Sequence, residues 1–336
     1  MKSLRFSIEP RAPFRLDATV WVLRRQAENA LDRWDGRTYR RVLVLAGSPA
    51  ELVAIDAGSM DRPRLDIAVF GDRLSANAEW LATAAIDRML GLSCDLDGFY
   101  RLAANDVTLR PVVRKFRGLK PAAYPSLFEA LVNGIACQQV TLTFGIRLLN
   151  RLIDACGRPI GVNEPSPRAF PEPHDLLSLG SQSIRNLQFS WAKTRALLEV
   201  SQAIVERKIA FETLAQLDDD AAIAQLCALR GIGRWTAEYV LLRGLRRIHV
   251  FPCDDVGARN NLGRLLGSTK KLTYEAARLT VDRWYPFAGL VYFHLLMDRL
   301  ASLDPALMQP DEGTAIAHDR GSATHGLRSP SDVSSR

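Results

Sequence analysis

The stretch LRGIGRWTAEYVLLRGLRRIHVFPCDDVGARNNL, residues 229–262, decides the fold of this chain. Its Gly231-Ile232-Gly233 turn lies between two segments of helically spaced apolar residues, and the first segment opens on three aspartates at 218–220. Acidic residues in a first turn stabilise the positive end of a helix dipole. Two glycines allow backbone angles closed to other residues and leave amides bare where a phosphate can bind. The pattern predicts a helical hairpin, although the turn alone fits a hairpin without a ligand equally well.

Positive charge and a pair of aspartates follow this turn. Residues 230–264 contain three acidic residues against seven arginines, which are Arg230, Arg234, Arg243, Arg246, Arg247, Arg259 and Arg264. The apolar run His249–Pro252 predicts a strand-like link that ends at Asp254 and Asp255. One aspartate in such a position usually caps the next helix. A second aspartate is then free to face a cleft.

Gly-Ile-Gly-Arg-Trp-Thr-Ala-Glu-Tyr at 231–239, with Val-Phe-Pro-Cys-Asp-Asp-Val-Gly at 250–257, resembles the helix-hairpin-helix DNA glycosylases. The resemblance is closest to 3-methyladenine DNA glycosylases of the inducible bacterial type. The hairpin, the linking run and the aspartate together make the signal specific, whereas each alone is weak. Two departures are Arg230, where a proline is usual, and Cys253 before the aspartates.

The remainder of the chain predicts an α+β fold. Short β-branched segments at 18–23, 39–45, 51–55 and 64–70 predict a small antiparallel sheet, with one helix near 27–34. The 3-methyladenine branch carries such an N-terminal domain. From Ala76 onwards the apolar spacing is helical, and the long apolar run from Leu127 to Ile153 predicts one helix that contains Gln138 and Gln139. The expected domains are an N-terminal β-rich domain (1–75), a mainly α-helical helix-hairpin-helix region (76–308) and a disordered tail (309–336) without aromatic residues.

Composition restricts the class of protein. The chain has 336 residues, a formal net charge of +7 and a pI near 9.3, which favours a polyanionic partner such as nucleic acid. Five cysteines without a C-x-x-C pair argue against a disulfide framework and against zinc or iron–sulfur ligation. No segment approaches about eighteen unbroken apolar residues, and no signal-peptide core is present. We therefore expect a cytoplasmic, nucleoid-associated protein that binds no membrane.

The resemblance assigns a chemical role to Asp255. A carboxylate beside the sugar stabilises positive charge as the base leaves, and it orients or deprotonates the attacking water. Asp254 is expected to cap or hold the loop, with the reverse assignment left open. In glycosylase/lyase members a lysine stands two residues after the second hairpin glycine, where this chain has Trp235. We therefore expect hydrolysis without strand cleavage, because indole has no nucleophilic amine.

The resemblance also predicts a base pocket. Trp235 would attract cationic N-alkylated purines such as 3-methyladenine and 7-methylguanine by about 0.5–2 kcal/mol. Tyr239 is a second candidate wall, equally well explained as core, and Phe14 is more often core than pocket. Leu296 stands where the inducible bacterial type has a tryptophan, which puts a second stacking partner in doubt. His294 lies in an apolar row and is expected to be a packed core histidine.

Damaged double-stranded DNA is the expected partner of a monomeric protein. The expected DNA-contacting residues are Gly231, Gly233, Arg234, Thr236, Gln138, Gln139 and Lys193, and Gln139 is the candidate wedge that fills the space of an extruded base. Inter-helix hydrogen bonding by the glutamines and a solvated position for Lys193 are the alternatives. No cofactor is required, although in relatives a cation binds hairpin carbonyls, here those of Leu229 and Ile232.

Two other functions remain open from the sequence. One is a glycosylase for oxidised or mismatched bases, which is weakened by the missing cluster cysteines and the missing lysine. The other is a non-catalytic helix-hairpin-helix module that only holds DNA. Such a module has no use for an aspartate at 255 or an indole at 235.

Overall fold

The computed structural model describes residues 2–161, 166–304 and 307. Within these residues a five-stranded antiparallel sheet has the order β1-β5-β4-β3-β2. Its strands are β1 (Lys2–Ile8), β2 (Arg33–Trp34), β3 (Thr38–Leu45), β4 (Ser48–Asp56) and β5 (Leu65–Gly71). The sheet predicted from the segments at 39–45, 51–55 and 64–70 is confirmed.

Two predictions in the first forty residues are wrong. The segment at 18–23 is part of a helix, α1 (Leu16–Arg24), and not a strand. Eight of the nine α1 residues are buried, so the sequence lacks the polar positions that distinguish a helical period from a strand period. The expected helix near 27–34 is irregular chain that runs into β2.

A mainly helical region follows the sheet, as predicted. Its helices are α2 (Ala78–Leu90), α3 (Asp97–Asn105), α4 (Arg110–Lys115), α5 (Leu127–Cys137), α6 (Leu142–Cys156), α7 (Pro173–Asn186), α8 (Trp191–Val205), α9 (Phe211–Gln216), α10 (Asp219–Cys227), α11 (Arg234–Arg243), α12 (Val256–Leu265), α13 (Tyr274–Val281) and α14 (Ala288–Leu303). A 3₁₀ turn, Asp282–Trp284, follows α13, and two short strands, β6 (Arg158–Pro159) and β7 (Arg168–Ala169), pair with each other. The expected disordered tail lies outside the described residues, and the predicted domain boundaries stay predictions.

A buried ion-pair network joins the sheet to the helical region. Arg41 on β3 donates to Asp32 at 2.7 Å and to Glu129 on α5 at 2.5 Å. Tyr39 also donates its hydroxyl proton to Asp32, at 2.7 Å. Arg41 is fully buried, and both carboxylates are 2% exposed. The charges therefore depend on each other, because burial of any one alone would be costly.

The expected role of His294 is confirmed, since it is fully buried in α14. Its Nδ1 lies 2.8 Å from the carbonyl oxygen of Leu290, one turn earlier, which fits an N–H donor. Burial lowers the pKa of His294 to about 4 from an ordinary value of 6.5. The imidazole is therefore neutral in the folded protein at neutral pH.

His294 makes stability depend on pH. The unfolded chain takes up this proton near pH 6.5 and the folded imidazole only near pH 4. The free energy of unfolding therefore falls as pH drops from about 6.5 towards 4, by about 2 kcal/mol at pH 5. We expect His294→Gln to remove this loss. Urea unfolding of both proteins at pH 7.5 and pH 5 measures it, and an equal acid loss in the variant would contradict the assignment.

The five cysteines are free, in agreement with their unpatterned spacing. Among the described residues, no helix is both long enough and apolar enough to cross a membrane.

Candidate active site

The hairpin predicted around residue 231 is present between α10 and α11. Asp218 caps α10 by accepting the Ala221 N–H at 2.8 Å, and the next two aspartates lie in its first turn. Gly231 has φ +81°, and a Cβ there would lie 2.7 Å from the Ala196 Cβ. Glycine is therefore required at 231 for both its backbone angle and its space.

Gly233 does not need the special backbone angle that was expected for both glycines. Its φ of −96° is open to any residue, and a Cβ there would meet nothing within 4 Å. Gly233 is the N-cap of α11 and provides no side-chain cap. The first-turn amides of α11 are thus left uncovered by a side chain, beside the exposed Arg234, which is a suitable arrangement for a phosphate.

The Thr236 side chain is buried between two helices, and the predicted DNA contact of this residue stays a prediction. It is fully buried, and its methyl carbon would lie 2.7 Å from a Cβ at Gly134 on α5. Its hydroxyl accepts from Gln138 Nε2 at 2.9 Å. Thr236 therefore packs α11 against α5, and it can offer only its backbone to DNA.

The two glutamines interrupt a helix that the apolar spacing predicts as continuous. α5 ends at Cys137 and α6 begins at Leu142, with Thr141 as the N-cap that accepts the Phe144 N–H. The sequence predicted that both glutamines lie within a helix, because apolar residues recur at helical spacing both before and after them. The pair instead forms the connection between them.

Within this connection the two glutamines differ. Gln138 donates its Nε2 protons to the Gly231 carbonyl at 2.8 Å and to Thr236, so it holds the hairpin against α5. Gln139 is exposed and has φ +51°, a left-handed conformation that is uncommon for a residue with a side chain. The alternative, an inter-helix hydrogen bond, thus holds for Gln138, whereas the wedge role of Gln139 stays a prediction.

Lys193 lies on the same side of the molecule, at the start of α8. Its ammonium group donates to the Ala136 carbonyl, in the last turn of α5, at 2.8 Å. A positive charge at the C-terminal end of a helix is stabilising, because it interacts favourably with the negative end of the helix dipole. Partial burial lowers the pKa of Lys193. Its contact with DNA stays a prediction.

The run His249–Pro252 is irregular chain and not the predicted strand. Asp255 is the N-cap of α12, and its Oδ1 accepts the Ala258 N–H at 2.9 Å. The cap was expected from Asp254, whose carboxylate lies instead 3.6 Å from Arg259. A carboxylate has two oxygens, so capping occupies one and leaves Oδ2 for another partner. The half-buried Asp255 can thus cap the helix and still offer an oxygen to another group.

Aromatic side chains from α11, from α14 and from the irregular segment before α5 form a cluster near this aspartate. The Trp235 ring stacks on Tyr239 with centroids 5.8 Å apart and an interplanar angle of 27°. The Tyr239 hydroxyl lies 2.6 Å from the hydroxyl of Tyr124. Burial, then the charge of Asp255 and then Tyr239, raise the pKa of Tyr292 on α14. Tyr292 is thus within electrostatic range of both Asp255 and Tyr239.

The remaining pocket candidates lie at the edge of this cluster or away from it. Tyr239 is 3% exposed, so it supports Trp235 from behind. Leu296 is partly buried, one turn after Tyr292 on α14. Phe14 is 2% exposed in the core, and its N–H donates to the Met60 carbonyl at 3.0 Å. These contacts favour a core position for Phe14, and its part in the pocket stays a prediction.

From the sequence, no role was assigned to two residues near the site. Arg25 follows α1 with φ +63° and donates to the Tyr239 hydroxyl at 3.1 Å and to Asn133 at 2.6 Å. Glu238 on α11 is a buried carboxylate that accepts the Asp254 N–H at 3.1 Å. Glu238 lies within the motif at 231–239 but was given no role there, because both residues act through partners that are distant in sequence.

The hairpin carbonyls proposed for a cation are partly engaged. The Leu229 carbonyl accepts the Ile232 N–H at 3.1 Å and so closes the turn. In the described part of the chain, no cluster of three His, Cys, Asp or Glu side chains has the geometry of a metal site. A backbone cation at Leu229 and Ile232 stays a prediction.

Comparison with known proteins agrees with this geometry. Residues 132–287 match the family described as HhH-GPD superfamily base excision DNA repair protein. The DNA-3-methyladenine glycosylase of Bacillus subtilis is 30% identical over 210 residues, which cover 62% of this chain and 69% of that protein. The 3-methyladenine DNA-glycosylase structure from Archaeoglobus fulgidus superposes with a TM-score of 0.76 at 24% identity, covering 89% of this chain and 99% of that one.

A further structural neighbour is the 8-oxoguanine glycosylase/lyase of Clostridium acetobutylicum in complex with double-stranded DNA. Its TM-score is 0.69 at 13% identity, covering 89% of this chain and 98% of that one, so it supports the fold alone. The matched segment contains the hairpin, Trp235 and Asp255. With the Bacillus relative covered over more than two thirds of its length, these findings show that the chain belongs to the HhH-GPD superfamily of base excision DNA repair proteins, in the branch of the 3-methyladenine glycosylases.

Proposed function

We propose that this protein is a monofunctional DNA glycosylase that hydrolyses the N-glycosidic bond of alkylated purines, including 3-methyladenine and 7-methylguanine. The observation that carries the proposal is the Trp235–Tyr239 stack in a helix that begins at the hairpin, with Tyr292 within electrostatic range of both Tyr239 and Asp255. The partner is damaged double-stranded DNA. The protein acts as a monomer on chromosomal DNA, and no cofactor takes part in the reaction.

DNA binding supplies the free energy that base eversion consumes. The target base cannot be reached inside the stack, and flipping it out costs a few kcal/mol. Contacts of phosphates with the first-turn amides of α11 and with Arg234 offset this cost. Gln139, an exposed residue with a left-handed backbone, fills the vacated space.

The reaction then requires charge stabilisation and water. As the bond between base and sugar breaks, positive charge develops on the sugar. The Asp255 carboxylate stabilises this charge and orients or deprotonates the water that attacks the anomeric carbon. A cationic base leaves as a neutral molecule, so the site needs no strong general acid. Because Trp235 stands at the lysine position of the lyases, the DNA strand stays intact.

Trp235 is proposed to select the positive charge of the base. We expect Trp235→Ala to slow excision of 7-methylguanine by roughly 3- to 30-fold through loss of the cation–π contact. Excision of a neutral base of similar size should fall less, and Trp235→Phe should retain part of the preference. Trp80→Ala, which removes an indole that is 67% exposed on α2, is the control. An equal loss for cationic and neutral bases would exclude charge selection.

Identification of the released bases tests the proposal. The purified protein is incubated with duplex DNA treated with dimethyl sulfate, and free bases are separated by chromatography. We expect release of 3-methyladenine and 7-methylguanine without strand cleavage. Release from oxidised but not methylated DNA would favour a glycosylase for oxidised bases. Binding without release of any base would indicate a DNA-holding module.

A further inference from the structure

Glu238 is a buried carboxylate on α11 that the proposed reaction does not use. It is 5% exposed, and burial raises its pKa above the ordinary value. A buried carboxylate is stable only where hydrogen bonds replace its water. Glu238 accepts two, from the N–H of Asp254 and from the hydroxyl of Tyr274.

The first hydrogen bond fixes the loop that carries Asp255. Glu238 Oε2 accepts the Asp254 N–H at 3.1 Å, one peptide unit before Asp255. Within the loop, the Asp255 N–H donates to the Pro252 carbonyl at 3.0 Å, and Arg259 donates to the Cys253 carbonyl at 2.7 Å. These two contacts come from the loop and α12 alone. Glu238 therefore provides a contact that sets the position of the loop relative to α11.

The second hydrogen bond leads to the hairpin surface. Tyr274 on α13 donates to Glu238 Oε1 at 3.2 Å, and its hydroxyl accepts from Arg234 Nη1 at 3.2 Å. The Arg234 guanidinium also lies over the Tyr274 ring, 5.6 Å from its centroid. Arg234 is exposed at the first position of α11, where a DNA phosphate is proposed to bind. A chain of contacts thus runs from Arg234 through Tyr274 and Glu238 to the acidic loop.

We propose that Glu238 is a positioning residue for Asp255, and that it joins the phosphate-binding start of α11 to the catalytic loop. This inference rests on the proposed function. The helix whose amides bind the DNA backbone then also determines the position of the carboxylate. One helix, α11, then sets both the position of the bound phosphate and the position of Asp255 beside the sugar.

Glu238→Gln tests the inference with a nearly isosteric side chain. The carboxamide oxygen can accept one of the two hydrogen bonds, whereas the NH₂ group faces the other donor. We expect the single-turnover rate of base release to fall on the order of 10- to 100-fold, as for other small displacements of a catalytic group. The Kd for a duplex with a neutral abasic-site analogue should stay within about threefold. Glu275→Gln removes an exposed carboxylate from the same region and is the matched control.

The hydrogen bond between Tyr274 and Glu238 allows a second measurement. Tyr274→Phe removes the hydroxyl that connects Arg234 to Glu238. If the contacts act as one chain, the rate losses of the double variant are smaller than the product of the two single losses. If the rate loss of the double variant equals the product of the two single losses, Glu238 and Tyr274 act separately, and the connection to Arg234 is overturned.

The remaining outcomes separate the inference from the proposed function. An unchanged rate in Glu238→Gln, with Asp255→Asn inactive, overturns the inference and leaves the function intact. A rate loss with an equal loss of abasic-DNA affinity and a lowered melting temperature assigns Glu238 a merely structural role, and also overturns it. If wild type releases no base, or Asp255→Asn is as active as wild type, the proposed function fails and the inference fails with it.

Discussion

Asp255→Asn is expected to abolish base release, with a single-turnover rate lower by a factor on the order of 10²–10³ or more. The variant loses the charge that stabilises the sugar cation but keeps the helix cap, because asparagine caps a helix about as well as aspartate. The Ala258 N–H thus retains its acceptor, and the fold of α12 is preserved. DNA affinity should be equal or higher, since a negative charge near the phosphates is removed.

Asp254→Asn is the matched control for this variant. It alters the neighbouring carboxylate, which lies beside Arg259, and leaves Asp255 untouched. We expect an excision rate within a few fold of wild type. An inactive Asp254→Asn with an active Asp255→Asn would reverse the assignment of the two aspartates.

Arg41→Met is expected to cause the largest loss of stability, about 3–5 kcal/mol in the free energy of unfolding. The substitution leaves Asp32 and Glu129 buried without their shared guanidinium. Such a loss is a large part of the roughly 5–15 kcal/mol that stabilises an ordinary domain. Urea denaturation at pH 7.5 measures it.

Arg64→Met is the control for Arg41. Arg64 forms an ion pair with Asp66 at 2.9 Å, with both side chains about half exposed. Exposed pairs of this kind contribute about 0–1 kcal/mol. Equal destabilisation by the two substitutions would contradict the role assigned to the buried network.

The sequence predicted the elements whose signals are local. β5 is a short run rich in apolar and β-branched residues, and the hairpin carries its own glycines and its acidic first turn. α1 was misread because it is buried almost throughout, which removes the period from the pattern. The single long helix was also wrong, because its apolar stripe continues across the break at Gln138 and Gln139.

The sequence predicted those site residues that belong to a local motif. Trp235 and Asp255 were identified by type and spacing, but the division of labour between the two aspartates required the geometry of the cap. Arg25 and Glu238 were missed because their partners lie far away in the chain. Arg25 reaches Asn133, and Tyr274, 36 positions after Glu238, binds its carboxylate. Tertiary contacts of this kind leave no pattern in a single sequence.

The most direct test of the central claim is the affinity for two abasic-site analogues in otherwise identical duplexes. One carries a protonated pyrrolidine in place of the sugar, which mimics the developing cation, and the other carries a neutral tetrahydrofuran. Because an enzyme binds the transition state more tightly than the ground state, wild type should prefer the cationic analogue by a factor on the order of 10² or more. Asp255→Asn should lose this preference and bind the neutral analogue unchanged. An undiminished preference in the variant would show that Asp255 does not stabilise the sugar cation.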